Sequence, residues 1–206
     1  MQSKQQLSPA FTAEYVPENY FQALDLESVF PRCAPLEVDL GCGDGSFLVA
    51  LAKQNPQRNF LGLERLLGRV RSACRKITHE NLGNARMLRI ENSYAVAHLL
   101  PPNSVSVFYL LFPDPWPKRR HQRRRIVTEE FIEAIHRALA PNGWFVIATD
   151  QREYFDEIQR RSREMHKFSE EPIGDFMLPA TTFEKHFLER GLEIHRLTLR
   201  KVSPVR

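Results

Sequence analysis

Long hydrophobic runs are missing from this 206-residue chain. No apolar stretch approaches the ~18 residues a bilayer-crossing helix needs. The opening residues, MQSKQQLSPAF, lack the apolar core of a secretory signal. Cysteine is scarce: Cys33, Cys42 and Cys74 are widely spaced and odd in number. That excludes a disulfide framework and a zinc-type pattern, so a reduced, cytoplasmic setting and no metal are expected. Internal repeats are absent. Glycine is sparse, nine in all, which makes three within residues 41–45 conspicuous.

What is present is an ordinary globular balance, 42% hydrophobic and 26% charged, long enough to bury a sizeable core. The net charge of +4 is local. Lys118, Arg119, Arg120, Arg123, Arg124 and Arg125 fall within eight positions, and +4 less these six leaves about −2 for the remainder. Such a patch suits docking to a polyanion.

Residues 1–34 are polar, without sustained periodicity, and read as an N-terminal extension with a short helix near 18–28. From residue 35 to 206 a single domain is expected. Strands are predicted at 36–41, 59–64, 85–91, 104–112 and 144–149, and helices at 46–54, 66–79 (basic), 93–99, 127–140 and 151–166. A turn falls at Pro141–Gly143, a helix at 182–190, and a strand near 192–200 closes the sheet edge. Alternating strands and helices imply an α/β fold whose parallel sheet is covered on both faces.

The first strand runs into Asp39-Leu40-Gly41-Cys42-Gly43-Asp44-Gly45-Ser46. Alternate glycines let the backbone turn tightly and approach a ligand. Glu64 ends the second strand, where a carboxylate can hold ribose hydroxyls. Ser46 breaks the nicotinamide fingerprint, which needs a sixth-position glycine. Two acids in the loop are poor company for a pyrophosphate but suit a cofactor with an amino-acid portion and a positive sulfur. Asp44 has a structural alternative as a cap for the following helix, and Cys42 reads as a small loop residue. The loop resembles the first motif of S-adenosylmethionine-dependent methyltransferases, in which it passes under the cofactor.

In open α/β sheets ligands lie beyond the carboxyl ends of the strands at the topological switch point. The methyltransferase strand order would put residues 113–116 opposite the glycine loop. There the chain reads Phe112-Pro113-Asp114-Pro115-Trp116-Pro117-Lys118-Arg119-Arg120-His121, then three arginines at 123–125. This closely resembles the signature of the tRNA (guanine-N7-)-methyltransferase family, over about residues 36–200. Ala148-Thr149-Asp150 and Thr181-Thr182-Phe183-Glu184 are further matches.

The resemblance implies a Rossmann-like class I methyltransferase with a mostly parallel seven-stranded sheet. It implies S-adenosyl-L-methionine held by Asp39, Gly41, Gly43, Gly45, Glu64, Glu91, Asn92 and Asp114, and a guanine in the variable loop of tRNA as target. Asp114 is the expected catalytic positioner. Lys118, Asp150, Thr181, Thr182, Phe183 and Glu184 are expected to bind substrate, and Arg119, Arg120, Arg123, Arg124 and Arg125 to dock RNA. Trp116 either stacks on a base or packs in its loop, and His121 makes a phosphate or structural contact. Asp150 with Glu153, and Thr181 with Glu184, also match capping boxes. The sequence leaves the oligomeric state open between a monomer and a homodimer. The rival readings are another RNA-base methyltransferase and a non-catalytic RNA-binding protein with a vestigial loop. A nicotinamide dehydrogenase leaves residues 114–125 unexplained.

Overall fold

A computed structural model describes residues 12–172 and 178–202, the side chain of Thr182 excepted. β1 (Glu14–Tyr15) and α1 (Leu26–Val29) precede β2 (Leu36–Leu40), α2 (Ser46–Gln54), β3 (Asn59–Glu64), α3 (Leu67–His79) and β4 (Ala85–Arg89). One turn of α-helix, α4 (Asn92–Tyr94), continues as a π turn over Ala95–Leu99 and leads to β5 (Val105–Leu111). A 3₁₀ turn at Arg119–Arg124 is followed by α5 (Glu129–Ala138), β6 (Leu139–Thr149), α6 (Arg152–Glu164), β7 (Phe168–Glu170), α7 (Thr182–Glu189) and β8 (His195–Lys201).

The sheet has the order β1-β4-β3-β2-β5-β6-β8-β7. β8 is antiparallel to β6 and β7, and the other pairings are parallel. All residues of β2 and β3 are buried, as strands covered on both faces require. One apolar cluster, built on α5, α6 and the π turn, covers one face. A second, built on α2 and α3, covers the other. The periodicity that predicted the helices accounts for both: α2 buries Phe47, Leu48, Leu51 and Ala52, and α5 buries Phe131, Ile132, Ile135 and Ala138. Thr128 caps α5, its hydroxyl accepting from the Phe131 N–H at 3.2 Å.

The α/β class holds, with eight strands in place of seven. The extra edge strand, β1, comes from the N-terminal extension and pairs with β4. Leu24, Val29 and Phe30 of that extension pack into the main core. The helix expected near 18–28 is confined to four residues capped by Asp25. The turn at Pro141–Gly143 lies within β6, where Asn142 takes a φ of 60°. No helix of the described residues is long and apolar enough to cross a membrane.

β2 sits between β3 and β5, so successive crossovers run outward in opposite directions from β2. That switch point opens a crevice beyond its carboxyl end.

Candidate active site

A cavity of about 800 Å³ occupies this crevice, a volume suited to a small organic ligand. Asp39 and the 41–44 loop form its floor, Glu64, Arg65 and Arg69 one wall, and Phe112–Asp114, Trp116 and Arg124 the other. The loop's shape follows from its glycines. Gly41, Gly43 and Gly45 take φ of 72°, 58° and 75°, a region costly for residues with a Cβ. Gly41 and Cys42 donate their N–H groups to the Leu63 carbonyl at 2.9 and 3.0 Å, which ties the loop to β3. A Cβ on Gly45 would lie 2.5 Å from that of Ala73, so this glycine lets α2 and α3 approach, whereas one on Gly43 would meet nothing within 4 Å.

Two buried carboxylates face the cavity. Glu64 accepts from the Leu66 N–H at 2.8 Å, and its other oxygen lies 3.6 Å from Arg69. Asp39 Oδ2 is buried without a hydrogen-bond partner. Burial, reinforced by the charge of Glu64, pushes the Asp39 carboxyl up to about 7. An orphaned buried acid beside a cavity is a costly arrangement that a polar or cationic ligand relieves. Asp44 is otherwise engaged: it accepts from the Ser46 N–H and hydroxyl and from Lys76.

Asp114 stands on the opposite wall, exposed, with no hydrogen bond or ion pair among the described residues. Its loop is strained. Phe112 and Trp116 take φ of 54° and 42°, unusual for bulky side chains. The Phe112 N–H is held by the Ala148 carbonyl at 2.7 Å. Arg124 lies 4.9 Å over the Trp116 ring, and His121 meets the same ring edge-on.

A model of a family described as "Putative methyltransferase" matches residues 33–197. A tRNA (guanine-N(7)-)-methyltransferase of Alkalilimnicola ehrlichii is 33% identical over 95% of this chain and 84% of its own length. Its namesake in Buchnera aphidicola subsp. Baizongia pistaciae is 31% identical over 98% of this chain and 86% of its own. This chain belongs to the tRNA (guanine-N(7)-)-methyltransferase family. Among solved structures, the 16S rRNA methyltransferase KamB aligns with a TM-score of 0.64 at 18% identity, over 88% of this chain and 95% of its own. An S-adenosylmethionine-dependent methyltransferase from Aquifex aeolicus aligns at 0.58 and 16%, over 86% and 87%. Both likenesses bear on the fold alone.

The structure brings together Asp39, Gly41, Gly43, Glu64, Glu91, Asn92, Asp114, Thr181 and Phe183 around the cavity of this family member. Gly45 stands just behind. Glu91, expected to hold cofactor, spends both carboxylate oxygens on the Ser93 and Tyr94 N–H groups and caps α4. Asn92 keeps a buried Oδ1 without a partner, which makes it the better ligand contact of the pair. Thr181 lines the cavity and caps α7 through the Glu184 N–H at 2.9 Å, while the Thr182 side chain lies outside the described residues. Glu184 pairs with Arg196 and does not line the cavity. Asp150 follows β6 and does not line the cavity; it accepts from the Gln151 side-chain amide at 2.6 Å, and α6 starts after Gln151 without a side-chain cap.

The basic run divides. Lys118, Arg119, Arg120, Arg123 and Arg124 are exposed. Arg125 is not a docking residue: its side chain is only 4% exposed. Its Nε donates to the Pro115 carbonyl at 2.8 Å, its other nitrogens meet Glu157 and Glu153, and its guanidinium lies 4.7 Å over Tyr154. It fastens the Asp114 loop to α6. Sequence reasoning also missed Arg69 and Lys76, which hold Glu64 and Asp44. The acid-free helix that follows Glu64 was their signal.

Proposed function

We propose that this protein transfers a methyl group from S-adenosylmethionine to N7 of a guanine in tRNA, in the variable loop. The observation that carries it is Asp114, unpaired on a strained loop, facing a glycine loop with an orphaned buried acid across one cavity rimmed by exposed cations. The residues fit the cofactor. Asp39 offers an unsatisfied acceptor to a cationic ligand, Glu64 a carboxylate fixed by Leu66 and Arg69, and the positive-φ glycines a bare backbone. When bound, S-adenosylmethionine supplies an electrophilic methyl carbon on a sulfonium centre.

Guanine N7 carries an in-plane lone pair, so no proton leaves before attack. What the protein must do is align the partners, which is worth at most ~7–11 kcal/mol. Alkylation at N7 leaves the purine positively charged, and a carboxylate placed in advance stabilises that charge. Asp114 has this role, held in place by Phe112, Trp116 and Arg125. Trp116 and Phe183 offer ring faces for stacking a base. The exposed arginines at 119, 120, 123 and 124, with Lys118, draw in the RNA backbone.

The test is radiolabelled methyl transfer to unmodified tRNA, with the product digested to nucleosides. The expected label is in 7-methylguanosine. Label in another nucleoside would make this a different RNA-base methyltransferase. Cofactor binding without transfer to any tRNA would overturn the substrate.

A further inference from the structure

The cavity mouth has a second positive rim, on the side away from the 118–124 run. Residues 65–79 hold Arg65, Arg69, Arg71, Arg75 and Lys76 and no carboxylate. α3 buries Val70, Ala73 and Ile77 against α2 and the sheet and leaves Arg69, Arg71 and Arg75 exposed, as is Arg65 just ahead of it. Three of the acids around it are paired. Glu64 lies 3.6 Å from Arg69, Asp44 pairs with Lys76, and Glu80 pairs with Lys53 at 2.8 Å. Glu14, on the edge strand, lies beside Cys74. Arg65, Arg71 and Arg75 have no ion pair among the described residues.

This distribution works against the helix itself. Arg71 and Arg75 form a like-charge pair one turn apart, which destabilises a helix. Cations at the first turn also oppose the helix dipole, and α3 has no acid there and no side-chain cap. A polyanion laid along this face removes both penalties. Arg69 to Arg75 covers about 9 Å of helix axis. Its beginning is continuous with the cavity, which Arg65 and Arg69 line. β3 and β5 flank β2, so this strip and the 118–124 strip stand on opposite sides of the opening.

We propose that the exposed arginine face of α3 is a second RNA-docking surface, which holds another segment of the same tRNA whose guanine enters the cavity. The proposal rests on the tRNA-methyltransferase reading and adds a two-sided grip. Arg71 and Arg75 test it best, because they line no part of the cavity.

The experiment compares wild type, the double variant Arg71→Gln/Arg75→Gln and the charge-keeping Arg71→Lys/Arg75→Lys. Each is titrated with unmodified tRNA across a salt series, with cofactor affinity and turnover at saturating tRNA measured alongside. In the glutamine variant, tRNA affinity should fall and the log–log salt slope should shrink by about 0.7–0.9 for each phosphate no longer neutralised. Cofactor affinity and saturated turnover should stay unchanged, and the lysine variant should restore the slope. An unchanged slope overturns the proposal. So does binding of wild type to phosphatidylglycerol vesicles that the glutamine variant loses while its tRNA slope stays intact, which would assign the face to a membrane surface. If wild type methylates no tRNA yet the slope responds, the RNA surface stands and the proposed reaction falls.

Discussion

Asp39 shows what a single buried carboxyl costs without a hydrogen-bond partner on one oxygen. Its ordinary value near 3.8 is pushed up to about 7, first by burial and then by Glu64. Between about pH 4 and 7 the folded chain therefore binds a proton that the unfolded chain has released, so stability falls as pH rises through that window. Asp39→Asn should be more stable than wild type at pH 8, by about 1–3 kcal/mol, with the gain fading towards pH 4 in thermal melts. The same variant should bind cofactor more weakly. In wild type, cofactor affinity should drop below pH 7 by up to about tenfold per unit, as the acid must shed its proton to meet a cation. Calorimetric titration at several pH values checks this, and a flat profile would remove Asp39 from the cofactor site. Arg125 is the opposite case, a charge used for structure. Arg125→Gln should cost roughly 2–3 kcal/mol, below the full value for a buried pair because Glu153 and Glu157 keep solvent contact. Turnover should fall more than tRNA affinity, since the variant frees Pro115 beside Asp114. Asp39, Glu64 and Asp114 were legible because strand ends and local spacing place them. The inward turn of Arg125 was not, because its partners on α6 lie 28 and 32 residues further along the chain.

At the scale of elements, the glycine loop couples a ligand site to the packing of two helices. Gly45→Ala would drive a methyl into Ala73 of α3, including its backbone Cα at 3.0 Å, from a φ of 75°. It should cost about 2–4 kcal/mol and weaken cofactor binding together. Gly43→Ala meets nothing and should cost only the conformational ~1–2 kcal/mol. Any larger loss of cofactor affinity there measures how closely the ligand approaches. Paired melting and binding data on the two variants separate these cases. The helices and long strands were readable because each carries a full period of apolar residues. β1 and β7, two and three residues long, show no period and exist through their pairing with β4 and β8. The π turn after Asn92 left no local mark either.

For the molecule as a whole, charge is sorted rather than abundant. The faces of α6 are neutralised by pairs such as Arg152 with Asp156 and Arg160 with Glu164, whereas the cavity rim keeps its cations exposed. Replacing Arg119, Arg120 and Arg123 with Gln should flatten the salt dependence of tRNA binding, by about 0.7–0.9 in slope for every phosphate these arginines neutralise. Filter binding from low to physiological salt would read it, and an unchanged slope would place docking elsewhere. Arg125 stays out of that set, because its loss would confound docking with folding. The antiparallel β8 has a consequence for biosynthesis. β6 is flanked on one side by β5 and on the other by β8, which begins 46 residues after β6 ends. A nascent chain that has extruded β2 through β6 therefore presents an open edge to its neighbours on the polysome until residues 195–201 clear the ribosome. Thr181 and Phe183, on the cavity wall, emerge late as well. The open edge and the incomplete cavity wall thus persist together until β8 takes its place.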